Sequence, residues 1–123
     1  MSETNYDYQE HIEPYREVYE INYEHGYIAW RFGTGGTVEI LQLFVVESKR
    51  RSGLGKQLIR EMIRELPESV NSVYGFTRQT NTNAKRFYRS IGFNLCSIHG
   101  MYEEQVSTVF SAPIRVLKEN LGD

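Results

Sequence analysis

The chain has 123 residues, enough for one domain with a sizeable core. Its 14 basic and 16 acidic side chains leave a formal net charge of −2, so no bulk charge draws it to nucleic acid or to an anionic membrane. One cysteine, Cys96, excludes an internal disulfide and suits a reducing compartment, and without a signal-like or membrane-length apolar run a cytoplasmic location is expected.

From Met1 to Pro14 the chain is polar and acidic and reads as an arm. Glu17 to Tyr23 alternates in the manner of a half-buried strand, with Tyr19, Ile21 and Tyr23 on one side and Val18, Glu20 and Asn22 on the other. His25-Gly26 is a turn, and Tyr27 to Phe32 predicts a second strand. The glycine turn Gly33 to Thr37 then leads into a third, Val38 to Val46. That turn joins two strands and opens no helix, so it is a hairpin rather than a phosphate loop. An antiparallel meander is expected over the first third of the domain.

The most informative stretch follows. Leu41 to Val46 is a strand-length apolar run, Glu47 to Ser52 is polar, and Leu58, Ile59, Met62, Ile63 and Leu66 have the spacing of one buried helix face. Pro67 should end that helix near Leu66. A glycine-rich, basic loop therefore opens a helix. The first helical amides have no intrahelical partner, and the dipole puts partial positive charge there. Gly53 and Gly55 admit close approach, and Arg50, Arg51 and Lys56 add charge, which makes an anion site suited to phosphate. It is not a P-loop, because Gln57 stands where Ser or Thr is needed after Gly55-Lys56. Nor is it a dinucleotide fingerprint, because the third glycine is missing.

Beyond the loop Glu68 to Asn71, Ser72 to Thr77 predicts a strand parallel to the third, as a strand-helix-strand unit requires. Thr80 to Thr82 suits a helix start, and Asn83 to Ile91 predicts a helix with Ala84, Phe87, Tyr88 and Ile91 on one face, ended by Gly92. Phe93 to Met101 and Val106 to Ile114 predict a last antiparallel pair, joined by the acidic turn Tyr102 to Gln105. The tail from Arg115 reads as a short polar helix or an unstructured end.

The pattern Arg50-x-x-Gly53-x-Gly55, after a strand and opening a helix, resembles motif A of the GNAT superfamily of N-acetyltransferases, which holds the pyrophosphate of acetyl-CoA. Asn81, Ala84, Tyr88, Gly92 and Phe93 reproduce the N-x-x-A-x-x-x-Y-x-x-x-G-F signature that follows it. The resemblance spans about Val18 to Val109. It implies a single GNAT-like domain over residues 1–123, with 1–14 as the arm. The implied fold is α/β of the α+β kind: a mixed, mostly antiparallel central sheet with the pyrophosphate-loop helix and a second helix packed on it. The superfamily usually places a strand and one or two helices before the meander, where acceptors are often gripped. Only Met1 to Arg16 is available here, so the acceptor side is expected to be open or completed by another subunit, with a homodimer as one form.

The implied activity is acetyl transfer from acetyl-CoA to a primary amine. Arg50, Arg51, Ser52, Gly53, Leu54, Gly55 and Lys56 would hold the pyrophosphate. The thioester carbonyl would meet a backbone amide on the splayed strand, mapped to Val45 with Phe44 and Val46 beside it, their side chains expected in the core. Tyr88 would protonate the leaving sulfur, with a core aromatic as the competing reading; Asn81 would bind the CoA arm or cap the helix. Glu39 is the first choice for the base, although six residues at ~3.3 Å each put it about 20 Å along the strand from Val45. A solvated strand glutamate is the competing reading. Glu47 and His99 are lesser candidates, His25 a turn residue, Cys96 a buried strand residue, and Arg86 and Arg89 solvated or reaching the CoA phosphates. No metal-ligand spacing is present, so no metal is expected. A non-catalytic acyl-CoA-binding or protein-interaction module remains the alternative, separable from an enzyme by thiol release from acetyl-CoA.

Overall fold

The computed structural model describes residues 17–99 and 106–122, with backbone alone at positions 99 and 106. The expected arm, Met1 to Pro14, and the expected turn, Tyr102 to Gln105, lie outside the described residues. Strands β1 (Tyr19–Tyr23), β2 (Gly26–Phe32) and β3 (Thr37–Val45) form the meander. Helix α1 (Leu54–Glu65), strand β4 (Ser72–Arg78) and helix α2 (Thr82–Ser90) follow, then β5 (Asn94–His99), β6 (Val106–Pro113) and helix α3 (Ile114–Leu121). The six strands make one sheet in the order β1-β2-β3-β4-β6-β5. The β3–β4 pair is parallel and all other pairs are antiparallel, so the expected mixed, mostly antiparallel sheet is present.

Two features of β3 shape the sheet. Against β2, Ala29 pairs with Gln42 but Trp30 pairs with Ile40, which leaves Leu41 as an extra residue, a β-bulge. Against β4, pairing runs from Thr37–Ser72 to Ile40–Gly75 and stops there, although both strands continue. The ladder to β4 thus ends at the residue before the bulge. A bulge bends and twists its strand, and beyond it β3 stays with β2 while β4 stays with β6 out to Arg78–Ser107. The two central strands diverge into an open gap.

One core cluster draws on alternate residues of the sheet (Ile28, Trp30, Val38, Ile40, Val73, Phe110, Ala112) and on all three helices. The helices therefore share one face. Helix α1 buries Leu58, Ile59, Met62 and Ile63, four of the five residues its period singled out, and ends at Glu65 because Leu66, preceding Pro67, is extended at ψ 140. The tail takes the helical alternative, Ile114–Leu121, but it is no polar end: its Leu117 and Leu121 belong to the core. Eight residues are too few for a periodic signal to stand out. Arg60 Nε fastens it by donating to the Leu121 carbonyl at 2.9 Å.

Gly75 sits where the gap begins. A Cβ there would press on the Phe110 ring, with Cε2 at 2.8 Å, and on the Ile40 carbonyl at 3.0 Å. Phe110 cannot retreat easily, because Tyr88 is stacked on it at 3.7 Å between centroids. Gly75→Ala is expected to cost ~1–3 kcal/mol, as overpacking does, measured as a lowered urea midpoint. A midpoint equal to the parent's would show spare room behind the ring.

Candidate active site

Backbone alternation decides which amides face the gap. The bonds Gly33 N–H to Thr37 C=O and Val46 N–H to His25 C=O, both 2.9 Å, fix the phase of the β2–β3 ladder on each side of the bulge. Before it, Thr37 and Glu39 turn their backbone groups to β2; after it, Gln42, Phe44 and Val46 do. Leu43 and Val45 therefore turn N–H and C=O into the gap. Without Leu41 as an extra residue the phase would be reversed, and Phe44 would face the gap instead. The same shift corrects the expectation of core side chains here: Phe44 is 43% exposed and Val46 is no part of the core cluster, whereas Leu43 and Val45 pack against it.

At the end of β3 lies the basic loop. A single 3-10 turn, Glu47–Lys49, leads to Arg50, which is extended at φ −69 and ψ 149. Arg51 is left-handed at φ 66 and Gly53 at φ 92. Gly53 is the N-cap of α1; no side chain caps the helix and no acidic residue lies in its first turn. The first helical bond there is Gln57 N–H to Gly53 C=O at 3.0 Å, so the amides of Leu54, Gly55 and Lys56 have no partner within the helix. A Cβ at Gly53 would meet nothing within 4 Å, so the approach to these amides is open. Gly55 is different. A Cβ on it would stand 3.0 Å from Phe87 Cζ, so this glycine lets α2 pack against the start of α1. Arg50 does not extend toward the amides; its Nε donates to the Val45 carbonyl at 3.1 Å.

Helix α2 brings the third component. Asn81 is its N-cap, accepting from Ala84 N–H at 3.0 Å, which is one of the two roles expected of it. Tyr88 is buried between Phe110, stacked at 10°, and the edges of Phe87 and Phe93 at 5.3 and 5.4 Å. Burial pushes its pKa well above the ordinary phenol value, so the hydroxyl keeps its proton. No described residue hydrogen-bonds that hydroxyl, an uncommon situation for a buried polar group. Tyr88, stacked over Phe110 and hence over Gly75, stands at the apex of the gap.

Residues 23–102 match the model of the FR47-like protein family. The chain belongs to that family. No curated protein matches it in sequence. Among solved structures, a protein of the GNAT family from Desulfovibrio desulfuricans is 16% identical, with a TM-score of 0.69 over 91% of this chain and 77% of that one. Ard1 from Thermoplasma volcanium is 25% identical, with a TM-score of 0.63 over 72% and 62%. Arabidopsis thaliana NAA60, solved with acetyl-CoA, is also 25% identical, with a TM-score of 0.61 over 72% and 64%. This chain thus spans less than two thirds of the length of the last two. The chain has the GNAT fold.

The other candidates are scattered. Glu39 is 3% exposed, and its Oε1 accepts from Arg31 Nε at 3.0 Å and from a terminal nitrogen of Arg31 at 2.9 Å. Its carboxylate is engaged in the sheet, neither solvated nor directed at the gap by any contact. Glu47 is exposed in the 3-10 turn, and the His99 side chain lies outside the described residues. His25 is a turn residue, as expected, 3.0 Å from Glu24. Cys96 is exposed on the edge strand β5 rather than buried. Arg86 and Arg89 are exposed on α2. Among the described residues no group of three His, Cys, Asp or Glu side chains could hold a metal, and no helix is long and apolar enough to cross a membrane. Sequence reasoning missed Arg31 and Phe110, and placed Phe87 on the helix face without its contact to Gly55. Arg31 had a signal: a charge alternating with Trp30 and Phe32 in a hairpin, opposite Glu39.

A buried ion pair is costly to break from one side. Arg31→Met, which leaves Glu39 buried without its partner, is expected to lose ~3–5 kcal/mol of unfolding free energy in urea. Adding Glu39→Leu should recover most of that loss. If the double variant is no better than the single one, the pair is not what Arg31 contributes.

Proposed function

We propose that this protein transfers the acetyl group of acetyl-CoA to a primary amine by direct attack. One observation carries the reading: Val45 turns an N–H into a gap that has an uncapped basic helix start at its mouth and a buried phenol without a described partner at its apex. Each component answers a need of the chemistry. The amides of Leu54, Gly55 and Lys56, with the Arg51 and Lys56 charges, suit a pyrophosphate. The Val45 N–H suits the oxygen that gains charge as nitrogen attacks the thioester carbon. The Tyr88 hydroxyl, kept protonated by burial, suits a sulfur that gains charge as the C–S bond breaks. In balance, a C–N bond forms, a C–S bond breaks, the thiolate takes a proton, and the amine sheds one.

Solved relatives support the acceptor class. NAA60 was solved with acetyl-CoA and with a bisubstrate analogue. The ribosomal-protein-S18-alanine N-acetyltransferase of Escherichia coli shares the fold at 20% identity and a TM-score of 0.65. With Glu39 held by Arg31, we assign loss of the amine proton to water and give Glu39 no part in it. That engagement also favours a second reading, an acyl-CoA-binding module without turnover. Thiol release from acetyl-CoA over a panel of amines separates the two.

Two variants test the site. Gly53→Val puts a side chain where no protein atom lies within 4 Å, so the fold should bear only the strain of a left-handed φ, ~1–2 kcal/mol. CoA binding, followed by calorimetry, should nevertheless be lost; undiminished binding places the pyrophosphate elsewhere. Tyr88→Phe should lower turnover by about 10²–10⁴-fold with CoA affinity nearly unchanged. It should not destabilise the fold, because the hydroxyl removed has no described partner. Equal turnover in a chemistry-limited assay would reduce Tyr88 to packing.

The pH dependence follows from the direction of the Tyr88 shift. A raised phenol pKa means that the donor form persists at every pH below the ordinary value of ~10. The rate should therefore climb with pH as more acceptor amine becomes neutral, with no fall between pH 7 and about 9.5. A descending limb inside that window would show a donor other than Tyr88.

A further inference from the structure

Arg50 is the first residue of the loop motif, yet its guanidinium turns away from the free amides. It reaches back to β3, where Nε donates to the Val45 carbonyl at 3.1 Å. Its backbone supports that reach. Arg50 N–H donates to Glu47 C=O at 3.2 Å, and the extended φ and ψ direct the chain past the strand end. The peptide unit joining Val45 to Val46 is consequently held from both sides. Arg50 binds its carbonyl, and His25 C=O binds its N–H, which is Val46 N–H, at 2.9 Å. The need for such a hold is plain from the topology. Beyond Ile40 the gap-facing edge of β3 has no neighbouring strand among the described residues, so no described ladder there keeps the backbone from twisting.

We infer that Arg50 is a positioning residue, a latch that ties the pyrophosphate loop to the open edge of β3 and aims the Val45 N–H at the thioester oxygen. The inference rests on the acetyl-transfer reading of this site. Holding the carbonyl side of Val45 fixes its ψ, and only rotation about φ is left to misdirect the N–H. The latch also joins the two ends of the site mechanically. A loop drawn in by a phosphate carries Arg50 with it, and Arg50 carries the strand end. Glutamine offers a clean control, because its Nε2 lies as many bonds from Cα as the Nε of arginine. It can donate to the same carbonyl without the charge.

The test compares Arg50→Met and Arg50→Gln with the parent protein by CoA titration, by turnover at saturating acetyl-CoA and by amide hydrogen exchange in the free protein. Arg50→Met should keep the CoA dissociation constant within about threefold and lower turnover about tenfold, a part of the 10²–10³ that losing an oxyanion donor costs. It should also speed exchange at Val46 N–H, since the shared peptide unit is loosened. Arg50→Gln should restore most of both. A CoA dissociation constant raised tenfold with turnover at saturation unchanged would overturn the latch and make Arg50 a phosphate ligand. If the parent protein transfers no acetyl group, the acetyl-transfer reading fails by itself. The exchange arm then still decides the latch, because an unchanged Val46 rate in Arg50→Met rejects it.

Discussion

A single extra residue in one strand governs the site. Leu41 interrupts β3 where its parallel ladder to β4 ends, and both events have the same geometric root. A ladder needs every second residue to present its N–H and C=O to the partner. The bulge shifts that alternation by one, so β3 remains in phase with β2 on one edge and is released from β4 on the other. Three consequences converge. The sheet opens between its central strands, the Val45 N–H rather than the Phe44 N–H enters the opening, and Phe44 is turned out to solvent. Gly75 completes the arrangement from the β4 side by admitting the Phe110 ring on which Tyr88 lies.

The two ends of the gap differ in character, and the difference suits the parts of the ligand proposed for them. The loop end is exposed, basic and rich in unpaired backbone donors, so a hydrated, highly charged group can exchange water for amides at little cost. The apex is aromatic and buried. There a neutral hydroxyl can be kept neutral, and an electrostatic interaction is stronger than in water. The contact between Gly55 and Phe87 joins these ends, since it packs the helix that carries Tyr88 against the helix that opens at the loop. Two polar clusters of the sheet outside this line are satisfied internally. Arg31 and Glu39 neutralise each other, and Gln79 Oε1 accepts from Thr108 Oγ1 and from Ser97 Oγ, tying the turn before α2 to β5 and β6.

Much of this architecture was legible in the order of residues. The period of Leu58, Ile59, Met62 and Ile63 marks α1 because a helix face repeats independently of its surroundings. Pro67 and Gly92 mark ends because their backbone preferences are local. The loop motif could be read as an anion site because helix starts carry unpaired donors wherever they occur. The parallel pairing of β3 with β4 followed from the helix between them, and the antiparallel pairing of β5 with β6 from their short connection. In each case the determining physics spans a few residues of chain.

What the tertiary structure decided involves residues far apart. Leu41 to Val46 is apolar but for Gln42, so no sustained alternation in it could reveal a bulge or a change of face; only pairing with Ala29 and Trp30 does. Strand β6 lies between β4 and β5 because its register with Ser72 to Arg78 is met in space, not in sequence. Helix α3 is a core element because Leu117 and Leu121 find the face of α1, which eight residues cannot announce. Glu39 looked available because its neighbours along the chain are uncharged; Arg31, eight residues away, takes its carboxylate once the hairpin closes. Local preference writes the elements, and burial between distant elements decides which backbone groups and charges are left for chemistry.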